Sequence, residues 1–197
     1  MFIALAIILV LFIVAFIVFL VALRKMGFDT FNKLIQNKVK RFARRNNLLA
    51  IEDLNILNYQ RNKVGINHVI FGKKYIYVIT DFLLKGFIRG ESNDNSWVYY
   101  DKIKKNTSYL SNLSKISEQN IREFAGILGI NTDPIVSICV VPNECDFSID
   151  HLDNEKKMVV HFSSLNRKIK KMEQQNIGSL NEEQIYEQFR TIKERNK

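Results

Sequence analysis

Residues 66–90 read INHVIFGKKYIYVITDFLLKGFIRG, and this stretch decides the fold. Two short runs with alternating apolar residues, 66–71 and 75–80, stand on either side of Gly72-Lys73-Lys74. Apolar alternation on both sides of a glycine-containing turn is the sequence pattern of a β-hairpin. We therefore predict that these two runs pair as antiparallel strands.

The position of the turn determines which residues of the hairpin face each other. A turn centred on Lys73-Lys74 places Asn67 opposite Thr80, whereas a slip of one residue offsets them. Side chains alternate along a strand, so Phe82 continues the face that carries Thr80. Asn67, Thr80 and Phe82 are therefore predicted to lie along one face.

The patterns on both sides of the hairpin predict a mixed sheet flanked by helices, in the α/β (α+β) class. Further strands are predicted at 50–59, 135–141 and 158–162. Helices are predicted at 30–47, at 113–128, after Ser163-Ser164, and after a capping box at 179–182. The polar segment 85–97 predicts a loop, and 97–100 a short strand or packed loop. Asn120 interrupts an apolar helix face. Such a residue could line a site, but we expect a capped or solvent-edge amide.

Composition limits the classes of function. The 197 residues carry a formal net charge of +9, which favours nucleic acid or anionic lipid as partners, although ordinary solvated lysines explain it equally well. The two cysteines, Cys139 and Cys145, form no CxxC pair, and Cys139 is predicted to be a small core residue. No P-loop, GxGxxG, HExxH or GxSxG motif occurs, so we expect no small-molecule cofactor and no resident metal.

The first 23 residues are apolar throughout and predict a transmembrane anchor. A helix of that length covers ~34 Å, against a hydrocarbon core of ~30 Å. A cleaved signal peptide is the alternative, but no basic residue precedes the run and Arg24-Lys25-Met26 does not resemble a cleavage site. We therefore expect a single-pass anchor that is retained.

Basic residues predict the orientation of this anchor in the cell membrane. Between Arg24 and Arg45 there are eight Lys and Arg residues and one acid, Asp29. The positive-inside rule then places the N-terminus outside and the domain in the cytoplasm. Three segments are expected: the anchor at 1–23, a basic juxtamembrane helix at 24–47, and the folded domain at 48–197.

The basic helix has an apolar stripe and a cationic side, and its role has three interpretations. It could contact anionic lipid headgroups, it could contact nucleic-acid phosphates, or its stripe could simply join the core while its cations stay in solvent. The first and third are compatible, and we favour them over nucleic acid for this helix. The candidate contact residues are Lys33, Lys38, Lys40, Arg41, Arg44 and Arg45.

Taken together, several of these segments resemble the nuclease-related (NERD) domain, a branch of the PD-(D/E)XK nuclease-like fold. The resemblance covers roughly 48–195. It implies a restriction-endonuclease-like core, and an N-terminal anchor is common in the family. The matching segments are 66–70 (INHVI), 75–79 (YIYVI), 86–90 (GFIRG), Trp97, and a helix pattern over 112–124.

The departures from the family pattern fall on its polar positions. The metal-binding aspartate of the family is replaced by Asn67, and the glutamate and lysine of its ExK motif by Thr80 and Phe82. The early glycine-glutamate pair has no counterpart near Phe31-Asn32, while Leu113 and Ile116 stand for a proline and a glutamine. Hydrolysis of a phosphodiester on this fold needs a divalent ion held by anionic oxygens, which these neutral residues do not supply.

The sequence thus predicts a membrane-anchored, catalytically inactive nuclease-like module that binds nucleic acid. One alternative is a membrane-bound scaffold or adaptor that interacts with anionic lipid and protein partners. Another is a divergent active nuclease, which would need a divalent metal. In that case Asp81 would have to be brought to the site by a bulge, or Glu52 or Asp53 would have to serve from the neighbouring strand.

Overall fold

The computed structural model describes residues 13–14, 27–52, 54, 56, 65–150, 156–175 and 180–196. Apart from Ile13 and Val14, the predicted anchor at 1–23 lies outside these residues, as does the end of the predicted strand at 57–59. Within the part of the chain that is described, no helix is both long enough and apolar enough to cross a bilayer.

The fold contains two mixed sheets flanked by helices, as the sequence pattern predicts at the level of fold class. The helices are α1 (Phe28–Arg45), α2 (Leu113–Leu128), α3 (Leu165–Glu173) and α4 (Glu182–Arg195). The strands are β1 (Leu49–Glu52), β2 (His68–Phe71), β3 (Ile76–Asp81), β4 (Gly86–Glu91), β5 (Ser96–Asp101), β6 (Asn106–Ser111), β7 (Ile135–Val141), β8 (Asp146–Asp150) and β9 (Lys157–His161).

The central sheet has the order β1-β2-β3-β7-β9 and contains the predicted hairpin at β2 and β3. The two strands pair from Phe71 with Ile76 to His68 with Ile79, the register that a turn centred on Lys73-Lys74 predicts. The ladder ends before Asn67 and Thr80, and the Asn67 N–H donates to the Ile79 carbonyl at 2.9 Å. The Gly72 N–H donates to the Tyr75 carbonyl at 2.8 Å and closes the turn. Because β7 and β9 run parallel to β3, the carboxyl ends of three strands meet at one edge of this sheet.

Helices cover both faces of the central sheet. On one face α1 and α3 bury a cluster that includes Phe31, Ile35 and Ile169, and on the other α2 and α4 bury a cluster that includes Phe124 and Ile192. The apolar stripe predicted for the basic helix therefore lies in the core. Burial on both faces explains why β3 and β7 read as nearly continuous apolar runs.

The second sheet has the order β6-β5-β4-β8 and was only partly predicted. The prediction of a loop over 85–97 is wrong, because β4 occupies the first half of that segment. One face of β4 is exposed and its glycines serve close packing: a Cβ on Gly90 would lie 2.2 Å from Cδ1 of Trp97, and one on Gly86 would lie 1.9 Å from the Tyr100 carbonyl oxygen. Because β4 contains two glycines and several exposed polar residues, its sequence lacks the apolar pattern by which a strand is recognised.

The helix ends follow local capping chemistry. The prediction that Asn46-Asn47 stops the first helix is confirmed, since Asn46 caps it and Asn47 adopts a φ of 52°. The capping box of the last helix joins Asn181 to Gln184, two residues after the predicted start at Ser179. The Asn181 side-chain oxygen accepts from the Gln184 N–H, and the Gln184 side-chain oxygen accepts from the Asn181 N–H. Asparagine is thus the N-cap residue where serine was expected.

Candidate functional site

The face of the hairpin at which the sequence resemblance predicts a nuclease-like site holds a neutral hydrogen-bond network. Thr80 is 7% exposed, and its hydroxyl donates to the Gly65 carbonyl at 2.8 Å. The Asn120 amide nitrogen donates to the Thr80 hydroxyl at 3.0 Å and to the same carbonyl at 3.3 Å. Asn120 is 3% exposed, so the expectation of a capping or solvent-edge amide is wrong: it joins α2 to β3.

Asn67 and Phe82 also have structural contacts at this site. The Asn67 side-chain oxygen accepts from the backbone N–H of Asp81 at 3.3 Å, which extends the hairpin beyond its last paired residues. Phe82 is half-buried and packs against a third apolar cluster, which contains Trp97. None of the side chains of Asn67, Thr80 and Phe82 carries a charge, so none can supply an anionic ligand to a divalent cation.

Asp81 lies on the opposite face of β3, as predicted for a regular strand. Its carboxylate is fully buried, where Oδ2 accepts from the Asn32 amide of α1 at 3.0 Å. The Nε2 of His68 stands 4.0 Å from the other carboxylate oxygen. Glu52 instead forms an ion pair with Lys40 at 3.4 Å, and Asp53 lies outside the described residues. Asp81 is thus turned away from Thr80.

A second candidate site is a basic groove of about 450 Å³ between α1 and α3. Its cations come from both helices, and three side-chain amides and two phenylalanine rings complete the lining. We call this the basic groove; it is lined by Leu34, Asn37, Lys38, Arg41, Phe42, Arg45, Asn46, Phe162, Asn166 and Lys170. Cations together with neutral amide donors suit phosphate or carboxylate groups.

The six predicted contact residues divide into three groups. Arg41 and Arg45 are exposed in the basic groove, and among the described residues no acidic side chain lies within 4 Å of either. Lys33 and Arg44 are exposed on the neighbouring side of α1, together with Lys40, which is paired with Glu52. Lys38 forms the third group.

Lys38 has a structural role as well as a place in the groove. Its ammonium donates to the carbonyls of Phe162 and Ser163, and stands 4.1 Å from the centre of the Phe162 ring. Burial lowers the pKa of Lys38, because it disfavours the charged ammonium. These contacts hold α1 against the turn before α3 and so shape the groove.

The contribution of α3 to the groove was missed by the sequence analysis. Lys170 and Asn166 line the groove, but this helix was identified only by its apolar stripe. The usable signal was the density of cations: Arg167, Lys168, Lys170 and Lys171 fall within nine residues. What the sequence did not reveal is that α1 and α3 lie side by side on the same face of the sheet.

Replacing Asn120 by alanine should lower the free energy of unfolding by about 1–3 kcal/mol, because the Thr80 hydroxyl and the Gly65 carbonyl lose a buried donor. Urea unfolding followed by circular dichroism measures this. Gln119→Ala is the matched control on the same helix, since Gln119 is exposed and its side-chain amide donates to Glu123 one turn away. Equal effects of the two substitutions would contradict the network described here.

Within the described ranges, no three His, Cys, Asp or Glu side chains are grouped so as to hold a metal ion. In comparisons with protein-family models, curated proteins and solved structures, the chain matches none.

Proposed function

We propose that the chain is a degenerate relative of the nuclease-related domain, with a restriction-endonuclease-like core, that binds nucleic acid without cleaving it. In this proposal the N-terminal anchor holds the domain at the cytoplasmic face of the cell membrane. The observation that carries the proposal is the basic groove, in which Arg41 and Arg45 of α1 meet Lys170 of α3.

The loss of cleavage is supported by the polar network of the hairpin. Thr80 and Asn120 bond each other and the Gly65 carbonyl, so the position that needs a carboxylate is filled by a satisfied neutral group. The nearest carboxylate along β3, that of Asp81, is buried on the other face and bonded to Asn32. The divergent-nuclease alternative therefore lacks a carboxylate at this face of β3.

Nucleic-acid binding is supported by the charge and the lining of the groove. Arg41, Arg45 and Lys170 present cations that no acidic side chain neutralises within the described part of the chain. A polyanion gains affinity from such cations by releasing counterions, and the amides of Asn37 and Asn166 add neutral donors. The formal net charge of +9 acts in the same direction at longer range.

Reversing two charges of the groove should weaken binding and reduce its dependence on salt. For the full-length protein in detergent, the Arg41→Glu/Arg45→Glu variant should show a log–log salt slope smaller by about 2, because each phosphate contact contributes ~0.9. Fluorescence anisotropy with a labelled oligonucleotide, at several salt concentrations, measures the slope. With Mg²⁺ or Mn²⁺ present, the oligonucleotide should stay intact.

The control changes the net charge by the same amount elsewhere. Arg190 and Lys193 are exposed on α4, which packs on the other face of the central sheet, so Arg190→Glu/Lys193→Glu should leave the slope almost unchanged. Equal effects of the two double variants would reduce the interaction to net charge and exclude a site in the groove. Metal-dependent cleavage by the unaltered protein would establish the active-nuclease alternative instead.

A membrane-bound adaptor is the second candidate function, and the position of α1 favours it. This helix starts at Phe28, only four residues after the predicted anchor, so its cations lie close to the expected position of the headgroups. Anionic vesicles that compete with the oligonucleotide for the unaltered protein, but not for Arg41→Glu/Arg45→Glu, would favour lipid as the natural ligand of the groove.

A further inference from the structure

The turn between β5 and β6 presents an apolar residue among lysines. Residues 102–105 read Lys-Ile-Lys-Lys, and the Ile103 side chain is 66% exposed. The Asp101 carboxylate accepts from the backbone N–H groups of Ile103 and Lys104 at 2.8 and 3.0 Å, and the Lys105 N–H donates to the Asp101 carbonyl at 2.8 Å. These bonds hold Ile103 outward on a defined turn.

Exposed aromatic residues adjoin this turn on the outer face of the second sheet. Tyr100 and Phe87 are partners in the β4–β5 ladder and are 40% and 37% exposed. In the next row, Val98 and Tyr109 are partners across β5 and β6, and Tyr109 is 82% exposed. We call Ile103 and these four residues, with Lys102, Lys104 and Lys105 of the turn, the outer-sheet patch. Large apolar side chains that are exposed together on one side of a sheet mark an interaction site.

Charge is distributed unevenly along the second sheet. Lys102, Lys104 and Lys105 stand at the turn, where the Asp101 carboxylate is occupied by the backbone N–H groups that lower its pKa. At this end of the sheet the exposed carboxylate of Asp146 forms an ion pair with Lys102 at 2.8 Å. Glu91 lies at the opposite end of β4. The end that carries Ile103 therefore attracts an anionic surface.

The turn also lies near the edge of the domain at which α1 begins. Asn32, in the second turn of α1, bonds Asp81 at the end of β3. Four residues further along the chain, the Lys85 carbonyl accepts from the backbone N–H of Lys102 at 3.1 Å. The turn at residues 102–105 is therefore connected to α1 through residues 81–85, which bond α1 at one end and the turn at the other.

We propose that the outer-sheet patch docks on the surface of an anionic lipid bilayer, with Ile103 entering the headgroup region and the lysines contacting lipid phosphates. Apolar and aromatic side chains ringed by lysines suit this interface, whose outer part is anionic and whose inner part is apolar. The patch is separate from the basic groove, so bilayer docking leaves the groove available to its own ligand.

A fluorophore at position 103 tests the proposal in the full-length protein. Ile103→Cys offers an accessible thiol, whereas burial raises the pKa of Cys139 to about 12 and of Cys145 to about 11, so neither native thiol competes for a maleimide label. The labelled protein is reconstituted in vesicles that mix phosphatidylcholine with the anionic lipid phosphatidylglycerol, which attracts polybasic segments, and in vesicles of phosphatidylcholine alone. Tyr186→Cys, at an exposed site on α4, carries the control label.

In anionic vesicles the label at position 103 should shift to the blue and be quenched severalfold more strongly by lipids with spin-labelled acyl chains than the label at position 186. Adding Lys104→Glu/Lys105→Glu should abolish that difference. A water-exposed signal at position 103 in both vesicles, or a shift that needs an added oligonucleotide or protein and not anionic lipid, would overturn the proposal.

Discussion

Replacing Trp97 by alanine should lower the free energy of unfolding by about 3–5 kcal/mol, which is a large part of the stability of a typical domain. The Trp97 side chain is fully buried, and its ring lies against the space where Gly90 has no Cβ. Its Nε1 donates to the Glu91 carbonyl at 2.7 Å. The substitution removes the largest buried side chain between the two sheets and also one of the two donors to that carbonyl, which keeps the Asp94 N–H at 3.2 Å.

Urea unfolding followed by far-ultraviolet circular dichroism measures this loss, since tryptophan fluorescence disappears with the residue. Tyr109→Ala on the same sheet is the control and should change stability by less than ~0.5 kcal/mol, because Tyr109 is 82% exposed. Trp97→Phe should fall between the two. A loss below 1 kcal/mol for Trp97→Ala, as an order-of-magnitude threshold, would show that the second sheet contributes little to the folded core.

Introducing two acids on the hairpin should destabilise the domain by roughly 3–5 kcal/mol in the absence of divalent ions. Asn67 and Thr80 lie just beyond the last paired residues of the two strands, so Asn67→Asp/Thr80→Glu places two carboxylates at the end of the hairpin, one of them buried beside the Gly65 carbonyl. If this face descends from a metal site, Mg²⁺ should restore part of the stability. A hundredfold excess over its Kd returns about 2.7 kcal/mol.

The control places a second acidic pair where both side chains are exposed. Ser96 and Ser111 are ladder partners on β5 and β6, so Ser96→Asp/Ser111→Asp has the same charge and a similar spacing without burial. This pair should cost less than ~1 kcal/mol, with little response to Mg²⁺ beyond that to ionic strength. Thermal unfolding with and without Mg²⁺ separates the cases. An equal Mg²⁺ response in both variants would count against nuclease ancestry for the hairpin.

Local pattern was sufficient to predict the central sheet and its helices. The hairpin register follows from the Gly72 turn and apolar alternation, and the strand at 135–141 follows from its unbroken apolar run. The strand at 86–91 could not be predicted in the same way. Its outer residues are exposed and its glycines accommodate Trp97 and the Tyr100 backbone, contacts that exist only after β4 and β5 have paired.

The candidate sites were predictable residue by residue, but their surroundings were not. The cations of α1 are visible in the sequence, whereas the meeting of Arg41 with Lys170 depends on two helices that are more than 100 residues apart. Asn120 was misjudged because a polar residue on an apolar face has no local partner. Its partners, Thr80 and the Gly65 carbonyl, come from the hairpin across the core.

The parallel strand pair of one sheet continues along the chain into the parallel pair of the other, and this has a consequence for how the domain unfolds. β3 continues into β4 through residues 82–85, and β7 continues into β8 through residues 142–145. The apolar cluster at this junction joins Cys139 and Val141 of β7 to Trp97 of the second sheet. Neither sheet can separate without pulling on strands that continue into the other, so we expect the two sheets to unfold as one cooperative unit. A mechanical load applied at the turn of residues 102–105 would then reach the central sheet.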